Sequence, residues 1–88
     1  MEVIVSERAK KQLKKITRLK QIIMVSRLQS LARTEGSSGE EKLSGYSDMY
    51  RIRVGDYRIV FKKTRDEIHV VLIGHRREVY KLLERLLG

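Results

Sequence analysis

Hydrophobic and basic positions alternate along two runs that flank a glycine-aspartate dipeptide in residues 50–61, YRIRVGDYRIVF. Alternation with a period of two is typical of β-strands that have one buried face. Gly55-Asp56 suits the two-residue turn of a β-hairpin, and this turn would set Val54 opposite Tyr57. The side chains on the apolar face of the predicted hairpin are Tyr50, Ile52, Val54, Tyr57, Ile59 and Phe61. Because such a face must be covered by other parts of the chain, it is the predicted core face.

The opposite face of the predicted hairpin is basic. It carries Arg51, Arg53 and Arg58 with Lys62 close by, and Arg53 lies directly opposite Arg58. Like charges that face each other across a strand pair are destabilising. The arginines either keep an outer face soluble or form a site for a polyanion, since the planar guanidinium fork matches phosphate. The absence of an acid between them favours the polyanion, because soluble faces usually mix charges.

Periodicity in the rest of the chain predicts three helices and two further strands. The predicted elements are a strand at residues 1–5, a helix that starts at an N-cap on Ser6, a helix at residues 19–33, a loop at residues 34–45, the two hairpin strands, a third strand at residues 67–74 and a helix at residues 77–87. This order, β-α-α-β-β-β-α, predicts a single α+β domain over residues 1–88, with helices packed on a sheet.

The third strand and the second helix are rich in apolar residues, and the sequence predicts which of these residues are buried. On the third strand, the expected faces are Ile68, Val70 and Leu72 on one side and Val71 and Ile73 on the other. Because both faces are apolar, the strand is expected inside the sheet. In the helix at residues 19–33, the positions expected to face the core are Leu19, Ile22, Ile23, Leu28, Leu31 and Ala32, with Met24 filling gaps among them.

The net charge of +9 and the sequence pI of about 10.2 favour nucleic acid, an anionic membrane surface or an acidic protein as a partner. Residues 1–34 hold nine lysines and arginines against two acids, and residues 46–63 hold five against two. The candidates to extend a phosphate track are Lys10, Lys11 and Lys14 on the first helix and Lys62 on the hairpin. A lysine face on a short helix is more often only solvated.

Composition also excludes several classes of protein. The chain has no cysteine, so disulfides, thiolate nucleophiles and thiol–metal sites are not available. No apolar run approaches the roughly 20 residues of a membrane span, and the N-terminus lacks the layout of a signal peptide. We therefore expect a soluble cytosolic protein. No cluster of histidine and acid has metal-ligand spacing, so neither a metal nor a cofactor is expected.

The two histidines have different sequence contexts. His69 alternates with core residues of a strand, where a satisfied structural histidine is the usual outcome. His75 ends that strand beside Arg76, and a side chain that titrates near neutral pH beside fixed cations is a candidate acid or base. The residues therefore support a metal-free anion site made of arginines, a histidine and a tyrosine.

The segment YRIRVGDYRIVF, followed by IGHRREVY one strand later, is similar to the core signature of the RelE/ParE toxin superfamily and, within it, of the RelE branch. The resemblance also covers the lysine-rich helix pair, the K-L-x-G-Y stretch and the terminal helix. It implies a small twisted, mainly antiparallel sheet with an N-terminal helix pair and a C-terminal helix. It further implies the toxin of a type II toxin–antitoxin pair, which cuts mRNA in the ribosomal A site without metal and leaves a 2′,3′-cyclic phosphate. The implied partners are a cognate acidic RelB-like antitoxin and mRNA on the ribosome.

By motif position, the resemblance implies a set of catalytic residues. They fall on Arg51, Arg53, Arg58, His75, Arg76 and Tyr80. Some relatives have lysine where this chain has Arg51 and Arg53, and that lysine is thought to act as the general base. Because arginine exchanges protons poorly, the base stays open, with His75 as one candidate and positioning by charge alone as the alternative. The spacing from His75 to Tyr80 is two residues shorter than in some members, so Tyr80 is expected to sit differently on the terminal helix.

Two other functions stay open at the level of the sequence. ParE-like relatives share the fold, poison DNA gyrase and generally lack the full basic set. An inactive relative would only bind an antitoxin. Retention of the basic residues and Tyr80 together favours the ribonuclease.

Overall fold

A five-stranded mixed sheet with helices on both faces is the framework of the computed structural model, which describes residues 1–33 and 39–87. In chain order the elements are β1 (Glu2–Val5), α1 (Glu7–Lys14), α2 (Arg18–Arg33), β2 (Glu41–Lys42), β3 (Met49–Val54), β4 (Tyr57–Lys63), β5 (Glu67–His75) and α3 (Arg76–Leu87). Across the sheet the strand order is β1-β5-β4-β3-β2, with β1 parallel to β5 and the other neighbours antiparallel. This architecture confirms the predicted α+β fold and order of elements, to which it adds the two-residue strand β2.

The β3–β4 hairpin has the register predicted from its sequence. Gly55 adopts a φ of 60°, as at the first central position of a type II′ turn, where glycine is favoured. All the predicted cross-strand pairs are present, and Arg53 lies opposite Arg58. The apolar face and the three arginines are therefore on opposite sides of the sheet.

Each side of the sheet has its own hydrophobic core. The first core consists of Ala9, Ile16, Met24, Leu28, Leu31, Ile52, Ile59, Phe61, Ile68, Val70 and Ile73, and it lies beneath α1 and α2. The second core consists of Leu43, Met49, Val60, Leu72, Val79 and Leu83, and it lies beneath α3. Because Val60 is the cross-strand partner of Arg51, the face that carries the arginines is partly covered by α3 instead of being open along its whole length.

The pairing between β4 and β5 shifts at Val71, which has no partner on β4. Such an extra residue is a β-bulge. Leu72 lies in the second core, whereas Ile73 lies with Ile68 and Val70 in the first. The prediction that Leu72 shares a face with Ile68 and Val70 is therefore wrong. The predicted position of the strand inside the sheet is confirmed, since β5 lies between β1 and β4.

Helix α1 begins where predicted and completes the edge of β5. The hydroxyl of Ser6 accepts a hydrogen bond from the backbone N–H of Ala9 at 3.1 Å, as expected of an N-cap. Beyond the last β1–β5 pair, the N–H of Ile73 donates to Gln12 Oε1 at 2.8 Å. A side chain of α1 thus replaces a strand neighbour at the end of β5 that leads into α3.

Helix α2 directs Met24 and Leu28 into the first core. The apolar side chains on its outer surface are Leu19, Ile22, Ile23 and Val25, which are between 40% and 70% exposed. The prediction that Leu19, Ile22 and Ile23 face the core is wrong, because apolar residues surround the helix and only one side of it can meet the sheet.

Two further sequence predictions concern the loop and the membrane. Residues 34–38 of the predicted loop at 34–45 lie outside the described residues, and Glu41–Lys42 of the same stretch form β2. Among the helices described, none is long and apolar enough to cross a bilayer.

Candidate anion-binding site

Strand β3 places Arg51 and Arg53 on the face of the sheet that α3 covers in part. Arg51 Nη1 donates a hydrogen bond of 2.8 Å to the hydroxyl of Tyr80 on α3. Tyr80 is held there because Val79 and Leu83 of the same helix are buried in the second core. The two side chains share a hollow of about 590 Å³ that is lined by Leu43, Ser44, Tyr46, Arg51, Tyr80, Leu83 and Glu84.

Glu41 on β2 is an acid on the arginine face, where the sequence pattern predicts none. Its Cα is the register partner of Arg51, and its carboxylate lies 2.9 Å from Arg53 Nε and 3.5 Å from Arg51 Nη2. The expectation that no acid lies among these arginines is therefore wrong. A two-residue strand is too short for periodicity to reveal it, and only the pairing with β3 brings the carboxylate to the site.

The surroundings of Arg51 keep its guanidinium charged. Burial lowers the pKa of Arg51, but the hydrogen bond to Tyr80 and the interaction with Glu41 raise it, and the net result is a pKa above the usual value for arginine. Arg51 is thus a fixed cation that cannot serve as a proton acceptor near neutral pH. Its Nε is buried and has no hydrogen-bond partner among the described residues.

Arg58 is buried, in contrast to Arg53 beside it. Its Nη1 donates to the carbonyl oxygens of Gly55 and Tyr57, each at 2.9 Å. The guanidinium therefore holds the hairpin turn. The facing arginines each have a separate oxygen partner, Arg58 in the turn carbonyls and Arg53 in Glu41, which offsets their mutual repulsion.

The hairpin turn is also connected to the start of α3. The backbone N–H of Arg76 donates to the carbonyl of Asp56 at 2.8 Å. Arg76 is the first residue of the helix, and its side chain is exposed. The turn thus fixes where α3 begins, and it places Arg76 beside the end of the hairpin.

His75 lies away from the Arg51–Tyr80 hollow. It pairs with Tyr57 across β4 and β5, so it is on the Tyr57 side of the sheet, and the two rings meet edge to face with centroids 6.1 Å apart. Its Nδ1 accepts a hydrogen bond of 3.3 Å from the N–H of Arg77. The hollow of about 530 Å³ that His75 lines includes Lys15 and Glu78 but not Arg51, Arg58 or Tyr80.

The four predicted phosphate-track lysines are exposed. Those on α1 are Lys10, Lys11 and Lys14, and α1 packs on the first core, on the opposite side of the sheet from Arg51. Lys10 also lies 3.3 Å from Glu7. Lys62 is on β4, between Met49 and His69 of the neighbouring strands. The lysines of α1 are therefore apart from the arginine pair, whereas Lys62 is on the same face of the hairpin as Arg51 and diagonal to it.

No group of histidine, cysteine, aspartate or glutamate within the described ranges could hold a metal ion. His69 is half-buried, and its Nε2 lies 2.9 Å from Glu67 Oε1, so the histidine has an acidic partner on its own strand.

Comparison with known proteins relates this chain to a family of toxins. A family model described as the ParE toxin of the type II toxin–antitoxin system parDE matches residues 3–80. Toxin RelE3 of Methanocaldococcus jannaschii is 42% identical over 40 residues, which are 46% of this chain and 46% of that protein, so the match spans about half of either.

Solved structures share the fold over nearly the whole chain. A chain of the RelB–RelE antitoxin–toxin complex from Methanococcus jannaschii has a TM-score of 0.77 at 23% identity, and the match covers 90% of this chain and 96% of that one. The isolated E. coli RelE toxin has a TM-score of 0.74 at 25% identity, with 98% of both chains covered.

The contact between Arg51 and Tyr80 gives a first prediction. Tyr80→Phe should lower the free energy of unfolding by about 1 kcal/mol, because the half-buried guanidinium loses a hydrogen-bond acceptor. Urea unfolding monitored by circular dichroism measures this change. Tyr46→Phe is the control, since Tyr46 lines the same hollow and its hydroxyl has no hydrogen bond within the described part of the chain. Equal losses in both variants would contradict the stabilising role of the contact.

Proposed function

Because this chain belongs to the RelE/ParE superfamily of type II toxin–antitoxin toxins, we propose that it is a ribosome-dependent endoribonuclease that cuts mRNA in the A site and thereby inhibits translation. The observation that carries this proposal is the pair Arg51 and Arg53, two guanidinium groups on one face of β3 with Tyr80 beside them. Such a pair suits a phosphodiester, whose two non-bridging oxygens accept hydrogen bonds from guanidinium groups. We place this activity in the cytoplasm, where mRNA is translated.

The proposed reaction needs no metal. The 2′-oxygen of one nucleotide attacks the adjacent phosphorus, the bond to the 5′-oxygen of the next nucleotide breaks, and a 2′,3′-cyclic phosphate remains. Arg51 and Arg53 would hold the phosphate in line and stabilise the charge that develops on its oxygens. Arg76 would supply a further cation at the start of α3, and Arg58 would act by fixing the hairpin turn.

Two protons must move in this reaction, one from the 2′-hydroxyl and one to the 5′-oxygen. Arg51 cannot exchange them, since its pKa is above the usual value. His75 is the proposed group for proton transfer. His75 would accept the proton of the 2′-hydroxyl on a ring nitrogen and pass a proton, as imidazolium, to the leaving 5′-oxygen, and the hydrogen bond of 3.3 Å from the N–H of Arg77 to its Nδ1 orients the ring. The rival mechanism, positioning and charge alone, is favoured by the location of His75 on the other side of the sheet from Arg51.

A ParE-like activity against DNA gyrase is the second candidate, because the matching family model is described as the ParE toxin. The pairing of Arg53 with Glu41 and the burial of Arg58 also reduce the free basic surface. An inactive protein that only binds an antitoxin is the third candidate. A gyrase–DNA cleavage assay beside a translation assay distinguishes all three.

The proposed partner is an acidic RelB-like antitoxin. One of the similar structures is an antitoxin–toxin complex with RelB. The outer surface of α2 supports such a partner, because the exposed apolar residues described above lie on a helix with four basic residues and no acid. An acidic amphipathic segment would cover the apolar side chains and neutralise the basic ones.

The nuclease proposal predicts that Arg53→Ala slows single-turnover cleavage on programmed ribosomes by about a hundredfold, which is the scale of losing one preorganised donor to a developing oxyanion. The fold should be retained, because Arg53 is exposed. Arg65→Ala is the control: it removes the same charge from an exposed position between β4 and β5 and should cleave within a few fold of the parent. Unimpaired cleavage by Arg53→Ala would refute the assigned role.

The proton-transfer proposal predicts that His75→Ala slows cleavage by about a hundredfold. Single-turnover rates on programmed ribosomes provide the test. His69→Ala is the matched control, because His69 is paired with Glu67 elsewhere on the sheet. If His75→Ala keeps the parental rate, the positional mechanism is correct.

The partner proposal predicts that Ile22→Gln weakens binding of the cognate antitoxin by about tenfold, since burial of one large apolar side chain is lost. Glutamine is a good helix former, so α2 should remain intact. Isothermal titration calorimetry measures the affinity, with Leu86→Gln, a comparably exposed leucine on α3, as the control. Equal effects of the two substitutions would argue against α2 as the docking surface.

A further inference from the structure

The carboxylate of Glu41 occupies the place between Arg51 and Arg53 where the proposed function would put a phosphate. One carboxylate oxygen lies 2.9 Å from Arg53 Nε and the other 3.5 Å from Arg51 Nη2. We propose that Glu41 is an internal competitor of the phosphodiester, and that it sets which RNA can enter the site. This inference rests on the proposed function, because it assigns the occupant of the same arginine pair.

The position of Glu41 is fixed by the strand that carries it. Although β2 has only two residues, the N–H of Leu43 donates to the carbonyl of Met49 at 2.9 Å, which ties the end of β2 to β3. On the preceding residue, Glu40 forms a largely buried ion pair with Lys63 at 2.7 Å. Successive side chains of an extended segment point to opposite faces, so the anchoring of Glu40 on one face directs Glu41 to the arginines on the other.

The competition follows from charge and from shape. A carboxylate and a phosphodiester each carry one negative charge and present two oxygens to a guanidinium fork. Two anions cannot share the arginine pair without strong repulsion, so one of them must leave. Glu41 fills the site only in part, because the contact with Arg51 is long and the buried Arg51 Nε has no hydrogen-bond partner among the described residues.

The contact is also weak enough to be displaced. The side chain of Glu41 is 45% exposed and that of Arg53 is 56% exposed, and ion pairs at this exposure shift an equilibrium by only about two- to fivefold. Glu41 would lower the fraction of sites that free RNA occupies at low concentration. A phosphodiester presented on the ribosome has a high effective concentration and would displace the carboxylate. Glu41 would thus favour ribosome-bound mRNA over free RNA.

The test is the affinity of Glu41→Gln for a short fluorescent single-stranded RNA, measured by anisotropy at low salt. The expected result is binding about three- to fivefold tighter than that of the parent. Glu2→Gln is the matched control, because it makes the same change in net charge on β1, at the opposite edge of the sheet, and should bind like the parent. In an Arg53→Ala background, the gain from Glu41→Gln should largely disappear.

Two results would overturn the inference: an affinity of Glu41→Gln equal to that of Glu2→Gln, or a gain that persists in full when Arg53 is alanine. Cleavage of ribosome-bound mRNA by the parent protein is measured alongside. If the parent cleaves and Glu41→Gln gains no affinity, the proposed function stands and the role of Glu41 fails. If the parent does not cleave but Glu41→Gln binds RNA more tightly, the role of Glu41 stands and the nuclease proposal fails.

Discussion

The register of the β3–β4 hairpin is the constraint on which the rest of the molecule depends. The two-residue turn at Gly55 leaves a single pairing, and that pairing decides which side chains enter the core beneath α1 and α2 and which lie towards α3. A slip of one residue would exchange the two sets and bury the arginines. Arg58 strengthens the choice, because its guanidinium binds the carbonyls of the turn itself. The geometry of the arginine pair is therefore set by the same few residues that set the fold.

Separate oxygen acceptors explain how a face with two facing arginines can be stable. The cross-strand pair Arg53 and Arg58 would repel if both were left in water above the sheet. Each guanidinium instead has its own oxygen partner, Glu41 for one and backbone carbonyls for the other. Arg51, the third arginine of this face, donates a hydrogen bond to the hydroxyl of Tyr80. A site that holds several cations together without an anion from outside thus depends on acceptors supplied by three different elements.

The sequence predicts this fold where local chemistry decides the outcome, as at the Gly55 turn, and it fails where distant packing decides. The bulge at Val71 has no local signal, because β5 is apolar on both faces and either phase of alternation is acceptable. Ile22 lies on a helix that is apolar on several sides, so the side that meets the sheet cannot be read from α2 alone. Glu41 reaches the site only through a two-residue edge strand, and a buried arginine such as Arg58 has the same sequence pattern as an exposed one.

The parallel pairing of β1 with β5 has a consequence for biosynthesis. Strand β1 is made before the other elements of this domain, yet its partner residues 67–70 are made only after α1, α2, β2, β3 and β4. The first core draws on Ile68, Val70 and Ile73 of β5, so α1 and α2 have no complete surface to pack against until that strand emerges. Contacts between segments so far apart in sequence form late and slowly. This domain therefore acquires its native structure only after β5 has been synthesised, and a polypeptide truncated before β5 would lack both the sheet and the arginine site in their native form.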